Sequence, residues 1–259
     1  MPRARTSRTV VLYLHRLFGV TATMAQRQAG DTDGDVGVVI VAAGASTRMG
    51  GVDKIMSPVK GRALISYALA AFNDIDRVSS IVLVVSADRL DECRRIVDEQ
   101  GFHKVDVCEG GARRQDSVRL GLDRLGVTEW TMVHDGARPL VDAAMIEAGL
   151  DAVRETGAAM AAVPLKDTIK AVGPDGMVLK TVDRQGLWAA QTPQVFRTDL
   201  LVEAHGRITD DVTDDSSMVE RMGGYVKLFM GSNDNLKVTA PEDLRLVEAL
   251  LRAREVPHR

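Results

Sequence analysis

The 259-residue sequence predicts an α/β fold in which a mostly parallel, twisted β-sheet is covered by helices on both faces. An apolar, β-branched run at 38–41 is followed by an amphipathic stretch at 63–72, which is the order of a βα unit. The same order then repeats, with apolar runs at 81–85, 105–108 and 130–133 and helical patterns at 90–99 and 115–125. Strands that are apolar throughout and alternate with helices are typical of a parallel sheet buried on both faces.

The second half of the sequence departs from this alternation. After an apolar run at 159–163, two short β-type runs at 168–172 and 177–182 flank Gly173-Pro174-Asp175-Gly176, a combination that favours a tight turn. We therefore predict a β-hairpin arm over 165–185 that projects from the sheet. The remaining predicted elements are helices at 199–205 and 216–222, a strand at 225–230 and a final helix after Thr239.

Length and composition indicate one large domain over 37–254, preceded by an N-terminal extension over 1–36. Hydrophobic residues make up 45% of the chain, which is enough for a substantial core. The chain before Asp31 contains arginines but no acidic residue, and no clean secretory cleavage site follows its short apolar run. We expect a disordered extension, with an organellar transit peptide as the less favoured alternative.

Charge and cysteine usage exclude several classes of function. With 33 basic and 36 acidic residues the net charge is -3, which argues against a protein that mainly binds nucleic acid. No stretch approaches the roughly 20 apolar residues of a membrane span. Cys93 and Cys108 lie in unrelated contexts, so neither a disulfide framework nor a zinc site is indicated. We expect a cytoplasmic protein with neither nucleic-acid nor membrane partners.

Ligands of a parallel sheet bind beyond the carboxyl ends of its strands, so the loops there are expected to carry the chemistry. Three such loops, at 42–54, 109–117 and 134–139, should converge on one crevice. The first contains small residues that let backbone N–H groups approach phosphate oxygens, together with the cations Arg48 and Lys54. It matches neither GxxxxGK[ST] nor GxGxxG, which argues against Walker-type and dinucleotide sites. A purely structural turn is the alternative.

Charged residues mark the third loop. Asp135 follows a predicted strand, where a carboxylate can hold Mg²⁺ together with substrate phosphates, and Arg138 offers a fork of donors to a phosphate. The alternative is that Asp135 caps the next helix, a position for which Asp142 is equally suited. We expect His134 to support the loop rather than to act in catalysis. Lys237 lies in a later strand-to-helix loop, where a solvated surface lysine is the alternative.

These residue types suit the transfer of a nucleoside monophosphate to a phosphorylated acceptor. A phosphate monoester has a second pKa of about 6, so at neutral pH its oxygen is already a nucleophile that needs no general base. The sequence indeed shows no Ser-His-Asp or paired-carboxylate signature. Attack on the α-phosphorus is limited by repulsion between anions and by charge that grows on pyrophosphate, so cations, Mg²⁺ and positioning are what the protein must supply.

Seven motifs occur in order between 37 and 254: AAGASTRMG with Lys54, GGARRQDSV, HDGARP, VPLKDTIK, TVDRQGLWAAQTPQVF, TDDSSMVE and DNLKVTAPEDL. Together they resemble the 2-C-methyl-D-erythritol 4-phosphate cytidylyltransferases of the non-mevalonate isoprenoid pathway. The resemblance implies a Rossmann-like sheet of the nucleotide-diphospho-sugar transferase type. It also implies transfer of CMP from CTP to 2-C-methyl-D-erythritol 4-phosphate, with Mg²⁺ as cofactor.

The resemblance also implies a role for each matching residue. Positions that hold CTP and read its cytosine match Ala42, Ala43, Gly44, Gly111 and Ser117. Arg48 and Lys54 match cations on the triphosphate, and Asp135 matches the metal-binding carboxylate beside the acceptor. Positions around the acceptor match Arg138, Thr168, Thr192 and Thr213, and the pair that positions its phosphate matches Arg184 and Lys237. In this family the arm reaches across a homodimer, so Thr168 and Arg184 would lie in a site shared between subunits.

Two residues depart from the family pattern. Ala112 stands where relatives commonly carry Asp near the cytosine, so we expect base selection to depend on backbone groups and Ser117. Asp53 replaces the usual Pro before the lysine, which we expect either to loosen the loop or to offset part of the charge of Lys54.

Three alternatives remain at this point. A ribitol-5-phosphate cytidylyltransferase shares the scaffold, although TVDRQGLWAAQTPQVF fits the methylerythritol family better. A uridylyl or guanylyl transferase is less favoured. From another class, a catalytically inactive nucleotide-binding module would be expected to lack Lys54, Asp135 or Lys237, and all three are present.

Overall fold

A computed structural model of the protein describes residues 35–44 and 53–255. The predicted extension over 1–36 lies almost entirely outside these residues and stays a prediction. The strands are β1 (Val36–Val41), β2 (Pro58–Val59), β3 (Arg62–Ala63), β4 (Val78–Val85), β5 (Val105–Glu109), β6 (Trp130–Asp135), β7 (Ala158–Pro164), β8 (Ile169–Val172), β9 (Val178–Val182), β10 (Trp188–Arg197) and β11 (Lys227–Met230). The α-helices are α1 (Ile65–Asn73), α2 (Leu90–Glu99), α3 (Arg114–Leu125), α4 (Ala143–Thr156), α5 (Thr198–Arg207), α6 (Asp215–Arg221) and α7 (Pro241–Glu255).

Seven strands form the central sheet, in the order β11-β7-β10-β6-β1-β4-β5. All neighbouring pairs are parallel except those of β10, which runs antiparallel to both β6 and β7. The predicted α/β class with a mostly parallel sheet is therefore confirmed. The strand order changes direction around β1, because β4 and β5 follow on one side of it and β6 lies on the other. A crevice is expected at such a switch point.

The core lies on both faces of the sheet because successive side chains of a strand point to opposite sides. In β1, Val38 and Ile40 pack in the larger cluster, which includes side chains of α1, α2 and α4. Val39, which lies between them, packs in a separate cluster with Leu125 of α3. These strands are buried on both faces, as their continuous apolar sequences predicted.

The predicted hairpin is also present. Strands β8 and β9 pair antiparallel as a two-stranded sheet of their own, with Ile169 opposite Val182 and the turn at 173–177 between them. Most side chains of the two strands are exposed. The hairpin is therefore a sheet separate from the central one, and its role as an arm stays a prediction. Over the described residues, no helix has the length and apolar character needed to cross a lipid bilayer.

Candidate active site

The loops that follow β1, β5 and β6 converge at the switch point, as predicted. Backbone hydrogen bonds join each loop to the neighbouring strand: Ala42 N donates to Val84 O (2.7 Å), Gly110 N to Val85 O (2.8 Å) and Gly136 N to Val41 O (2.9 Å). Between these loops lies a cavity of about 290 Å³. Eight predicted site residues line it: Ala42, Ala43, Gly44, Lys54, Gly111, Ser117, Asp135 and Lys237.

A second cavity, of about 210 Å³, lies on the other side of Asp135 and is lined partly by β10. Five predicted site residues border it: Asp135, Arg138, Thr192, Thr213 and Lys237. Three residues line both cavities, namely Arg114, Asp135 and Lys237. All the predicted nucleotide residues that the structure describes, and most of the predicted acceptor residues, therefore line two cavities that share Arg114, Asp135 and Lys237.

Small residues are required where the loops meet. A Cβ on Gly110 would lie 2.4 Å from Cβ of Ala43 and 2.8 Å from Oγ of Ser117. Gly111, the next residue, donates its backbone N–H to Ser117 Oγ at 3.1 Å. Any side chain at position 110 would push apart two walls of the larger cavity, because these distances are shorter than normal packing contacts.

Asp135 is the electrostatic centre of the site. Its carboxylate accepts from Lys237 Nζ at 2.7 Å and from Arg114 Nε at 3.3 Å, and Arg138 Nε lies 3.9 Å away. Burial alone would raise the pKa of Asp135, but the charges of Arg114 and Lys237 outweigh burial and hold its pKa well below the usual value. Asp135 is therefore an anion at every physiological pH.

Several contacts hold Asp135 in place. Its backbone N–H donates to Thr192 Oγ1 at 3.0 Å, and Asn235 Nδ2 donates to Thr192 O at 2.9 Å. His134 is fully buried, with Nδ1 3.1 Å from Thr192 Oγ1 and Nε2 3.0 Å from Arg138 O. Burial lowers the pKa of His134 to about 4, so its ring is neutral at pH 7. The prediction that His134 supports the loop is confirmed.

The alternative roles considered for Asp135 and Lys237 are both wrong. Helix α4 is capped by Asp142, whose Oδ1 accepts from Met145 N at 3.0 Å, so Asp135 is not the cap. Lys237 pairs with Asp135 instead of being a solvated surface lysine. Its loop is held to the third loop because Val238 N donates to Ala137 O at 2.8 Å.

The residue before Lys54 anchors its loop. Asp53 Oδ1 accepts from Ile55 N at 3.0 Å, and its Oδ2 lies 2.8 Å from Nε of Arg89. Ser57 Oγ donates to the backbone carbonyl of Asp53 at 3.0 Å. Asp53 thus fastens the turn that carries Lys54 to the short helical turn that follows β4. The expectation that Asp53 loosens the loop or offsets the charge of Lys54 stays a prediction, because residues 45–52 of the loop lie outside the described residues.

Three of the predicted residues lie elsewhere. Thr168 and Arg184 are exposed on either side of the hairpin and border neither of the two cavities. Arg48 falls outside the described residues, so its predicted role stays a prediction. The predicted sharing of Thr168 and Arg184 between subunits also stays a prediction.

Sequence reasoning missed Arg114 and Asp215. Arg114 lies at the first position of α3 and joins Asp135 to Asp215, whose Oδ2 accepts from Arg114 Nη1 at 2.7 Å. The motif GGARRQDSV contains two adjacent arginines, and which of them pairs with Asp135 depends on the residue at which the helix begins. Arg113 also lines the larger cavity, but its guanidinium pairs with Asp116 and Asp211. A cation at a helix N-terminus, where the dipole disfavours it, was the available signal.

The chemistry of Asp135 fits a divalent cation that is shared with a substrate. Among the described residues, no three His, Cys, Asp or Glu side chains are grouped as a metal site. One ionised carboxylate between two cavities is nevertheless the donor that Mg²⁺ commonly uses when substrate phosphates and water complete its shell. Lysine and arginine at the same place can stabilise charge that develops on phosphate oxygens.

Comparison with known proteins identifies the family of the chain. The model of the 2-C-methyl-D-erythritol 4-phosphate cytidylyltransferase family matches residues 36–253. The chain is 46% identical over 218 residues to a protein of that name from Dehalococcoides mccartyi, covering 84% of this chain and 96% of that protein. A crystal structure of 4-diphosphocytidyl-2C-methyl-D-erythritol synthase from Anaerococcus prevotii superposes with a TM-score of 0.75 at 27% identity, covering 84% of this chain and 96% of that one.

The crystal structure of 2-C-methyl-D-erythritol 4-phosphate cytidylyltransferase from Thermus thermophilus gives a TM-score of 0.69 at 32% identity, covering 83% of this chain and 98% of that one. The similarity therefore extends over most of the chain rather than over a single motif. The chain belongs to the 2-C-methyl-D-erythritol 4-phosphate cytidylyltransferase family.

Proposed function

We propose that this protein transfers CMP from CTP to 2-C-methyl-D-erythritol 4-phosphate, giving 4-diphosphocytidyl-2-C-methyl-D-erythritol and pyrophosphate. The observation that carries the proposal is the pair of cavities that meet at Asp135, Arg114 and Lys237 in a member of this family. We assign CTP to the larger cavity, with its cytosine beside Gly111 and Ser117. We assign the acceptor to the smaller cavity, beside Arg138, Thr192 and Thr213.

The reaction needs positioning and positive charge. An oxygen of the acceptor phosphate attacks the α-phosphorus of CTP in line with the leaving group, a new P–O bond forms, and the bond to pyrophosphate breaks. The acceptor is ionised at neutral pH, so no residue has to remove a proton. We assign Lys54 and Arg48 to the triphosphate and Lys237 to the acceptor phosphate. Each of these cations lowers repulsion between the two anions.

Asp135 is the residue that would hold Mg²⁺, together with oxygens of the nucleotide. When bound, the ion supplies a further positive charge that neutralises phosphate oxygens as the leaving group departs. Lys237 and Arg114 keep the Asp135 carboxylate ionised and oriented before the ion arrives. An Asp135→Asn variant is expected to require far more Mg²⁺ for half-maximal activity, and an unchanged Mg²⁺ titration would assign Asp135 a purely structural role.

The arm over 165–185 is proposed to pair with a second copy of the chain, bringing Thr168 and Arg184 to the partner's acceptor cavity. Support comes from large apolar side chains that the hairpin exposes, including Met177 (67%) and Leu179 (70%). We also propose a cytoplasmic location, in keeping with the two free, buried cysteines.

Light scattering on a size-exclusion column tests the dimer. Leu179→Asp is expected to give a monomer with low activity, while Val127→Asp, which alters an equally apolar residue that is 98% exposed elsewhere, should leave the dimer intact. A dimeric Leu179→Asp variant with full activity would contradict the role of the arm.

Pyrophosphate release from the purified protein tests the activity. Each of the four nucleoside triphosphates is supplied in turn with Mg²⁺ and either methylerythritol phosphate or ribitol 5-phosphate. We expect release with CTP and methylerythritol phosphate alone. Release only with ribitol phosphate, or only with another nucleotide, would overturn the substrate assignment, and release with no combination would overturn the proposed activity.

A matched pair of lysines tests the site. Lys237→Ala removes a preorganised cation and is expected to lower kcat/KM by about 100-fold or more. Lys227→Ala is the control, because Lys227 has a similar side-chain exposure (46% against 41%) but pairs with Glu155 at the surface. Equal effects of the two substitutions would show that the loss is unspecific.

A further inference from the structure

Arg114 occupies a position that helix electrostatics disfavour. It is the first residue of α3, where the partial positive charge of the helix N-terminus repels a cation. The first residue of α6 is Asp215, an acidic residue that the N-terminus of its own helix favours. The ion pair between these side chains joins the first residues of the two helices. The ion pair with Asp215 thus stabilises a guanidinium at a position that the N-terminus of α3 disfavours.

The anchor for Arg114 is rigid and buried. The side chain of Asp215 is 1% exposed; its Oδ2 accepts from Arg114 Nη1 at 2.7 Å, and its Oδ1 lies 3.0 Å from His205 Nε2. Burial alone would raise the pKa of Asp215, but the charge of Arg114 outweighs it, so the pKa lies below its usual value. Asp215 is thus a fixed anion whose two oxygens both have partners.

One donor of Arg114 is left over. Nε contacts Asp135 and Nη1 contacts Asp215, whereas Nη2 is buried and has no hydrogen-bond partner among the residues that the structure describes. A buried guanidinium N–H group without a partner is costly, so Arg114 keeps unused hydrogen-bonding capacity. Arg114 lines both cavities and its side chain is 26% exposed, so part of the side chain is open to their junction although Nη2 itself is covered.

A gain in stability does not explain the buried ion pair between Arg114 and Asp215. Replacing a buried salt bridge by apolar residues of similar volume is often neutral or stabilising, because desolvating two charges is costly. Buried carboxylates on two different elements hold one guanidinium here. The desolvation cost of these charges has a function if the guanidinium must be fixed in position before a substrate anion binds.

We propose that Arg114 is a further catalytic cation, whose guanidinium contacts phosphate oxygens of the reacting nucleotide where the two cavities meet, and that Asp215 is its positioning residue. This role rests on the cytidylyl transfer proposed above. The interaction strengthens as negative charge redistributes over the phosphate oxygens during attack, so it should act on kcat more than on the binding of CTP.

The test uses the double variant Arg114→Met/Asp215→Asn, which removes both charges together and leaves no unpaired buried ion. We expect a folded protein with a cooperative thermal transition, a kcat lowered by about 100-fold or more, and a Kd for CTP changed by less than about tenfold. Asp215→Asn alone keeps the cation but loses one anchor, and we expect a smaller loss of kcat, of about tenfold.

Chemical rescue separates a catalytic from a structural role. In Arg114→Ala, added guanidinium ions are expected to restore at least about a tenth of the lost activity, and they should not stimulate the wild-type protein or Lys54→Ala. A folded double variant with kcat within about threefold of wild type, or an Arg114→Ala variant that guanidinium does not rescue, would overturn the proposal. Wild-type protein without pyrophosphate release would instead overturn the proposed function, so the two failures are distinguishable.

Discussion

Substitution of Gly110 tests whether the close approach of two loops shapes the nucleotide cavity. In Gly110→Ala the new Cβ would lie 2.4 Å from Cβ of Ala43 and 2.8 Å from Oγ of Ser117. The shortest normal carbon–carbon contacts are about 3.5 Å, so the two loops must separate by roughly 1 Å to relieve the contact with Ala43. The Ala43 side chain has no rotamer with which to move away. The shift also strains the hydrogen bond from Gly111 N to Ser117 Oγ.

Overpacking of this kind typically costs about 1–3 kcal/mol, and weakening the hydrogen bond adds up to about 1 kcal/mol. We expect the free energy of unfolding to fall by about 2–3 kcal/mol. For a domain of this size each kcal/mol lowers Tm by about 2–4 °C, so calorimetry should show a drop of about 4–12 °C. The KM for CTP should rise by about fivefold or more, because Gly111 and Ser117 are displaced together.

Gly206→Ala is the matched control. Gly206 lies in the last turn of α5, and a Cβ there would meet no atom within 4 Å. Alanine favours a helix over glycine by about 0.5–1 kcal/mol, so Tm should be unchanged or slightly higher. A Gly110→Ala protein with wild-type Tm and wild-type KM for CTP would refute the packing argument.

Two further predictions concern the loop anchor and the pH profile. Asp53→Ala should lower kcat/KM for CTP by about 5- to 10-fold, because it removes a partly buried ion pair and a carboxylate–amide hydrogen bond that together contribute roughly 1–1.5 kcal/mol to holding Lys54. Arg89→Ala removes only the ion pair and should cause a smaller loss, of about 2- to 5-fold. The double variant should be no worse than Asp53→Ala, and additive losses would contradict a shared role. The pKa of Asp135 is low and that of His134 is about 4, so both stay deprotonated as the pH falls from 8 to 5. The fall of kcat/KM for the acceptor should therefore follow protonation of its phosphate near about pH 6, and a profile that stays flat to pH 5 would contradict this reasoning.

Much of the alternating part of the fold could be predicted from sequence because most of its elements carry their own signal, although helix α4 (Ala143–Thr156) was not predicted. Helix α2 was predicted with its observed bounds, and β8 pairs with β9 on either side of the predicted turn. Strand β10 (Trp188–Arg197) was not predicted, although it lies in the middle of the sheet. Its sequence combines Gln191, Pro193 and Gln194 with short side chains, and a proline usually argues against an interior strand.

Tertiary contacts explain why β10 forms nevertheless. Its pairing with β7 is irregular between Ala190 and Gln194, which accommodates Pro193. Gln194 donates to Asp214 Oδ2 at 3.0 Å and accepts from Ser216 N at 3.1 Å, so the polar side chain is satisfied by the start of α6. Asp214 and Ser216 lie about 20 residues from Gln194 in the sequence. Contacts of this kind give β10 no periodic hydrophobic pattern from which it could have been predicted.

The candidate site was predictable to the level of loops but not of individual cations. The positions after β1, β5 and β6 identified Lys54, Ser117 and Asp135, because strand order places such loops together. Arg114 could not be chosen over Arg113 from the sequence, since only the three-dimensional position of Asp215 distinguishes them. The anchoring role of Asp53 likewise depends on Arg89, which belongs to a different loop.

The most direct test of the account is a crystal structure of the protein with Mg²⁺, a non-hydrolysable CTP analogue and methylerythritol phosphate. We predict the cytosine beside Gly111 and Ser117, the acceptor beside Thr192 and Thr213, and the acceptor phosphate facing the α-phosphorus between Asp135 and Lys237. Nucleotide bound in the smaller cavity, or an acceptor whose phosphate points away from that junction, would contradict it.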